Sequence, residues 1–275
     1  DLQSSFGVTW RIYEVVRKIY YLKLQDLFSV SLAEQTKIAS FLTAIDEKIT
    51  QLTQKCDLLA QYKKGVMQQI FSQKLRFKDD DGREFPEWEE KKLCHLATRI
   101  TRKNKENNKN VLTISAQQGL INQEEYFNKS VSAKDVTNYY LLHAGDFAYN
   151  KSYSNGYPMG AIKCLNRYEK GAVSTLYICF RFIEGNINSF FEHYFEFGLH
   201  NSEIEKVAQE GARNHGLLNI ALNDFFNISM RIPSTSEQTK IANFLTAVDD
   251  KITQAQAQLE AVKLYKKGLL QQMFV

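Results

Sequence analysis

Residues 34–71 read EQTKIASFLTAIDEKITQLTQKCDLLAQYKKGVMQQIF, and residues 237–274 read EQTKIANFLTAVDDKITQAQAQLEAVKLYKKGLLQQMF; the two align without a gap, with about 22 of 38 positions identical. Internal similarity over so long a stretch marks one structural unit used twice. Ser31 and Ser234 each stand three residues before a glutamate, Glu34 and Glu237. That is capping-box spacing, in which hydroxyl and carboxylate satisfy each other's orphan backbone donors at a helix start. Pro233 closes the segment before the second copy and sharpens that boundary.

Apolar residues in the first copy, Ile38, Leu42, Ile45, Ile49, Leu52, Cys56, Leu59, Val66 and Ile70, follow spacings of four and three, broken where Lys63 takes a seam position. The second copy repeats the stripe with Ile241, Leu245, Val248, Ile252, Ala255, Leu259, Val262, Leu269 and Met273, broken at Lys266. So narrow a stripe predicts a long helix packed against another of its kind. Periodicity alone fits a generic coiled coil. However, the exterior also recurs: Gln35, Lys37, Asp46, Tyr62, Lys64, Gln68 and Gln69 return as Gln238, Lys240, Asp249, Tyr265, Lys267, Gln271 and Gln272. A seam needs no fixed exterior, so the match points to a partner that meets both helices alike.

The chain of 275 residues carries a net charge of +4, which permits a nucleic-acid partner without demanding one. No apolar run approaches the roughly 18 residues of a membrane span, and no signal-peptide pattern opens the chain, so the expected location is the cytoplasm, with no membrane partner. Cys56, Cys94, Cys164 and Cys179 form no CxxC pair and read as reduced thiols. His95, His143, His193, His200 and His215 lack metal-ligand spacing. Neither metal nor cofactor is expected.

Residues 1–30 fit neither a clean helix nor a clean strand and read as a remnant packed beside the first helix. The first long helix and its exit occupy 31–75, a globular domain 76–233, and the second long helix 234–275. Within the domain, Asp81-Gly82 suits a hairpin turn. Short apolar segments at 111–116, 146–150, 160–165 and 174–183 read as strands, and NSFFEHYFEFGLHN as a helix. The fold class is therefore α+β.

No P-loop, GxGxxG, HExxH, GxSxG or Asn-Pro-Pro-aromatic tetrad is present, and no catalytic residues are nominated. Binding features are clearer. TRITRKNKENNKN at 98–110 sets Arg99, Arg102, Lys103, Lys105 and Lys109 against one acid, Glu106, with Asn104 and other amides interleaved. Such a loop can grip phosphates while its amides reach base edges, although a solvated loop has the same composition. A second candidate, NKSYSNGYPMG at 150–160, gathers Lys151, Ser152, Tyr153, Ser154, Asn155 and Tyr157 after a strand. A third, GARNHGLLN at 211–219, holds Arg213, Asn214 and His215 between glycines, and a plain helix approach reads the same way.

These stretches together carry a family likeness. The chain resembles the specificity subunit of type I restriction-modification systems. The likeness lies in SxxEQTKIAxFLTAxDxKIT and YKKGxxQQxF in both repeats, LLHAGDFAYNKSYSNGYPMGAIKCL with GAVSTLYICFRF, and GARNHGLLNIALNDFFNISMRIPSTSEQ before the second repeat; it covers nearly all of 31–275. The resemblance implies two long helices packed as an antiparallel coiled-coil spacer. It implies a mixed α/β target recognition domain reading half of a bipartite sequence in double-stranded DNA. It also implies a non-catalytic chain that docks DNA adenine methyltransferase (modification) subunits and a restriction subunit. The recurring exteriors Gln35, Lys37, Tyr62, Lys64, Gln68, Gln238, Lys240, Tyr265, Lys267 and Gln271 are the docking candidates.

A full-length subunit of that family has two recognition domains and this chain shows one, so the expectation is a half subunit or the C-terminal portion of a longer chain. A half subunit implies a homodimer on a palindromic bipartite target. A helix of 38 residues spans about 57 Å, or about 17 base pairs of duplex. Two alternatives stay open: a structural coiled-coil protein whose central domain binds protein or carbohydrate, and a cryptic nuclease or methyltransferase.

Overall fold

A computed structural model describes residues 17, 18, 31–127, 135–208, 216 and 218–274. The reading of residues 1–30 therefore lies almost wholly outside the described residues.

The two repeats are unbroken α-helices of 40 residues, α1 (Leu32–Phe71) and α7 (Thr235–Phe274). Neither contains proline, and each holds a single glycine, Gly65 or Gly268, so little interrupts the helical ladder. Their starts are capped as the spacing predicts: Ser31 Oγ accepts the Glu34 N–H at 3.2 Å and Ser234 Oγ accepts that of Glu237 at 3.4 Å. The reciprocal arm of the second box is replaced, because the Glu237 carboxylate turns to Arg76, with Nη2 at 2.9 Å and Nε at 3.3 Å.

Between the helices run β1 (Glu89–Lys92), α2 (Leu93–Leu96), β2 (Ala97–Arg99), β3 (Leu112–Ser115), β4 (Gly119–Asn122), α3 (Gln123–Phe127), β5 (Tyr140–His143), β6 (Phe147–Asn150), β7 (Ala161–Cys164), β8 (Lys170–Val173), β9 (Ile178–Phe182), α4 (Asn188–Glu196), α5 (Asn201–Val207), α6 (Leu222–Phe226) and β10 (Ser229–Ile232). β2, β9, β6 and β7 form an antiparallel four-stranded sheet in that order, and β1-β10, β3-β4 and β5-β8 are antiparallel pairs. The entry strand β1 and exit strand β10 pair along their whole length, from Glu89 opposite Ile232 to Lys92 opposite Ser229. A domain can thus be spliced between two helices with its ends closed.

The middle of the central sheet, along β6 and the first half of β9, contributes to a core on each face. Phe147, Tyr149, Phe180 and Phe182 join one core, while the alternate residues Ala148 and Cys179 join the other. This period of two explains why FAY and ICF read as continuous apolar runs. The larger core is aromatic. Phe182 stacks on Phe191 at 3.7 Å between centroids and Tyr149 on Phe225 at 4.9 Å. Met67, Ile70 and Phe71 of α1 and Ile241, Ala242 and Leu245 of α7 complete it.

The chain divides into two compact units, residues 62–249 and the remainder on either side of them. The division falls inside both long helices, so the last turns of α1 and first turns of α7 belong to the same body as the β-rich segment. In the 62–249 unit Lys63 Nζ meets Asp249 at 2.6 Å. In the other unit Lys266 meets Asp46. The repeat maps Asp46 onto Asp249 and Lys63 onto Lys266, so this is one contact made in both senses, which requires α1 and α7 to run antiparallel. It also accounts for the seam lysines, each of which reaches an aspartate on the other helix. The remaining seam residues are buried or half-buried, except Met273 at 36 % exposure.

Candidate nucleic-acid interface

The first basic stretch leaves β2 and continues beside β5, where Lys103 bridges to Tyr140. Lys103 Nζ donates to the Asn138 carbonyl at 2.8 Å and sits 4.7 Å from the Tyr140 ring centre. Arg99, Lys105 and Lys109 are exposed. Asn104 behaves differently from the expectation that the amides of this loop face outward. It is fully buried; its Nδ2 donates to the carbonyls of Asn108 and Val136, and its Oδ1 accepts the Asn108 N–H. Such an amide shapes the loop and has nothing left for a base edge.

Arg102 is exposed, but one edge of its guanidinium is committed: Nε donates to the Leu141 carbonyl at 3.1 Å and Nη2 to Asp146 at 3.0 Å. Asp146 stands in the turn between β5 and β6 and is fully buried. It also accepts Arg181 Nε from β9 at 2.5 Å and the His143 N–H at 2.7 Å. Burial, with Arg102 as the next cause, holds His143 below its ordinary value, Asp146 opposing. Neither Asp146 nor Arg181 was nominated from sequence. The available signal is one charged residue, Arg181, inside the otherwise apolar strand segment ICFRF.

The second stretch follows β6. Tyr153 is 62 % exposed, Asn155 is exposed, and Lys151, Ser152, Ser154 and Tyr157 are half-buried. The loop is pinned at several points. Tyr153 N–H donates to the Gly216 carbonyl at 2.6 Å, Leu218 N–H to that of Lys151 at 3.0 Å, and Gln117 Nε2 to that of Asn155 at 3.4 Å. At its far end Gly160 has φ +77°, and a Cβ there would lie 2.3 Å from the Asn150 carbonyl oxygen, so only glycine closes the loop. The Tyr157 hydroxyl donates to Glu196 and accepts from Lys163 Nζ at 3.1 Å. Burial, reinforced by Glu196, pushes its pKa up, which leaves it a neutral, internally bonded phenol.

The end of the third stretch therefore lies against the second loop, while Arg213, Asn214 and His215 lie outside the described residues. The docking candidates divide. Lys37, Tyr62, Lys64, Gln68, Tyr265, Lys267 and Gln271 are exposed, as is Gln35. Gln238 is only 2 % exposed, its side chain bonded to the Pro233 carbonyl and the Ile187 N–H. Lys240 reaches Asp80 at 2.6 Å and the Lys78 carbonyl at 2.8 Å. Both are committed to the chain's own central domain.

Among the described residues no group of three or more His, Cys, Asp or Glu is placed to hold a metal ion. No described helix is long and apolar enough to cross a membrane.

A family model described as the type I restriction modification DNA specificity domain matches residues 86–264, well over half of the chain. The fold is similar to that of the HsdS subunit from Thermoanaerobacter tengcongensis, at 11% identity and a TM-score of 0.51 over 87% of this chain and 56% of that one. It is also similar to the S subunit of the type I restriction-modification system from M. genitalium, at 15% identity and a TM-score of 0.50 over 89% of this chain and 62% of that one. The chain thus spans 56% and 62% of the length of these two structures. No curated protein matches it. By this match the chain belongs to the type I restriction modification DNA specificity domain family, as a non-catalytic specificity chain.

Proposed function

We propose that this chain reads one half of a bipartite sequence in double-stranded DNA and holds the modification and restriction subunits of a type I system to that site, in the cytoplasm. The observation that carries this reading is one domain with exposed cationic and aromatic side chains, Arg99, Arg102, Lys103, Lys105 and Tyr153, and half-buried Lys151, spliced between two copies of one helix that run antiparallel. Cations suit the phosphate backbone, and an exposed tyrosine beside Asn155 suits base edges and stacking. Asn104 drops out of the contact set because it is buried, and Arg213, Asn214 and His215 stay in it on sequence grounds alone.

A docked methyltransferase subunit would use the exteriors that remain exposed in register, Tyr62, Lys64 and Gln68 with Tyr265, Lys267 and Gln271. A second copy of the chain is the proposed source of the other half-site reader. In support, Glu34, Gln35 and Phe41 are exposed, although Glu237, Gln238 and Phe244 at the equivalent positions meet the central domain. A 40-residue helix spans about 60 Å, enough to separate two readers by more than a turn of duplex.

Co-expression with the cognate methyltransferase subunit and mapping of methylated adenines tests the whole reading. A palindromic, two-part target supports it, and absence of site-specific methylation overturns it. Light scattering that gives a monomer at every concentration, with and without DNA, overturns the homodimer.

A further inference from the structure

We propose that Arg102 and Arg181 form a clamp on one phosphate of the DNA backbone, and that buried Asp146 positions the pair. The inference rests on the DNA-binding reading above and assigns a contact to one part of it.

Asp146 is completely buried, yet two guanidinium groups converge on it from segments far apart in the chain, Arg102 on Oδ2 and Arg181 on Oδ1, while the His143 N–H also reaches Oδ2. A second bond holds each arginine, to the Leu141 carbonyl for Arg102 at 3.1 Å and to the Ala144 carbonyl for Arg181 at 3.4 Å. Burial alone does not account for this arrangement, because the two side chains remain 40% and 46% exposed. A guanidinium carries five N–H donors, and the bonds above engage two on each arginine. Three donors on each arginine are left outside these bonds, on two partly exposed side chains that meet the same carboxylate.

Two cations on one carboxylate leave a local charge of +1, and among the described residues no second acid forms an ion pair with either arginine. Both stems are already fixed, so little rotamer freedom is lost when an anion binds. The ligand that fits is a compact oxyanion shared by two forks. A phosphodiester meets that description. A base edge fits less well, because each arginine is tied down at its Nε end and cannot extend into a groove.

The test uses the full chain and a random-sequence duplex of about 30 base pairs, titrated between about 50 and 200 mM KCl. Each phosphate contact contributes about 0.9 to the slope of log affinity against log salt. Because the two arginines share one phosphate, Arg102→Ala and Arg181→Ala should each flatten the slope by up to about 0.9, and the double variant by about 0.9 in total. Arg181→Lys should keep most of the slope, since the charge remains. Asp146→Asn separates positioning from charge: losing a negative charge alone would tighten binding, whereas releasing the pair would weaken it.

Arginine variants that retain the wild-type slope overturn the clamp while leaving DNA binding intact. Tighter binding by Asp146→Asn overturns the positioning role. If the unsubstituted chain fails to bind duplex at the lowest salt, the underlying reading falls with the clamp. Should Asp146→Asn not fold, the arginine variants decide alone, because their side chains are substantially exposed.

Discussion

The start of α7 and the start of α1 share a sequence and have different surroundings. In α7, Glu237, Gln238, Ile241, Ala242 and Leu245 are each at most 2 % exposed. At the equivalent places in α1, Glu34, Gln35 and Ala39 are exposed and Ile38 and Leu42 are half-buried. The helix ends are related in the opposite sense: Met67 and Ile70 of α1 are buried, whereas Leu270 is half-buried and Met273 exposed. A repeated exterior therefore need not mean a repeated partner. In the 62–249 unit Glu237, Gln238 and Lys240 hold the chain's own domain through Arg76, the Ile187 N–H and Asp80.

The largest difference between the two helix starts is expected at Arg76. Its removal would leave the Glu237 carboxylate, 1 % exposed, buried without its cation, and Arg76→Ala should cost roughly 3–5 kcal/mol in urea unfolding. Glu34→Ala, at the exposed equivalent of Glu237, should stay within about 1 kcal/mol. Equal losses would mean that the two helix starts are seated alike.

The seam supplies the next contrast. Leu245→Ala empties a fully buried site and should cost roughly 2–5 kcal/mol, against about 1 kcal/mol for Leu42→Ala. A comparable cost at Leu42 would show that α1 buries that face in solution.

Acid should act on the 62–249 unit through its buried histidines. Burial pushes His193 and His200 down to about 4 from an ordinary 6.5, the cation Lys63 adding to the effect at His193 and Lys163 at His200. Both imidazoles are neutral in the folded chain, so the unfolded chain binds their protons first. Their stability contribution is complete above about pH 6.5 and declines as pH falls toward 4. His200, whose two ring nitrogens have no partner, should account for a loss on the order of 3 kcal/mol by then. Melting temperatures measured across this range should fall steeply for the unsubstituted chain and less for His200→Leu; parallel curves would remove His200 from the account.

The smallest effect concerns the seam lysines. Lys63 and Asp249 are 19% and 38% exposed, Lys266 and Asp46 28% and 54%. Double-mutant cycles should give coupling of about 0.5–1 kcal/mol for the first pair and less for the second. The reverse order would contradict the difference in burial.

Much of the architecture was legible because it is local. Helix length followed from a repeat without internal proline, and the segments at 111–116, 146–150, 160–165 and 174–183 each contain a strand. The strands at Glu89–Lys92 and Ser229–Ile232 were not legible, since EEKK has no apolar alternation and forms only because its partner lies at the other end of the domain. The site shows the same division. Composition marks the polar loops, whereas the inward turn of Asn104 depends on its bonds to Val136, 32 residues on, and to Asn108. The pairing of Asp146 with Arg181 joins residues 35 apart and leaves no mark in local composition.

Period, spacing and motif order within short windows specify the two helices, their seam, the α+β class of the segment between them and the family likeness. Which copy of a repeated residue is buried, which loop amides are spent internally and which arginines share a buried carboxylate follow from contacts made in the folded chain. The physical reason is that burial and hydrogen-bond partnership belong to pairs of distant segments. Glu34 and Glu237 are the same residue in the same motif, and only the meeting of Glu237 with Arg76 makes them different.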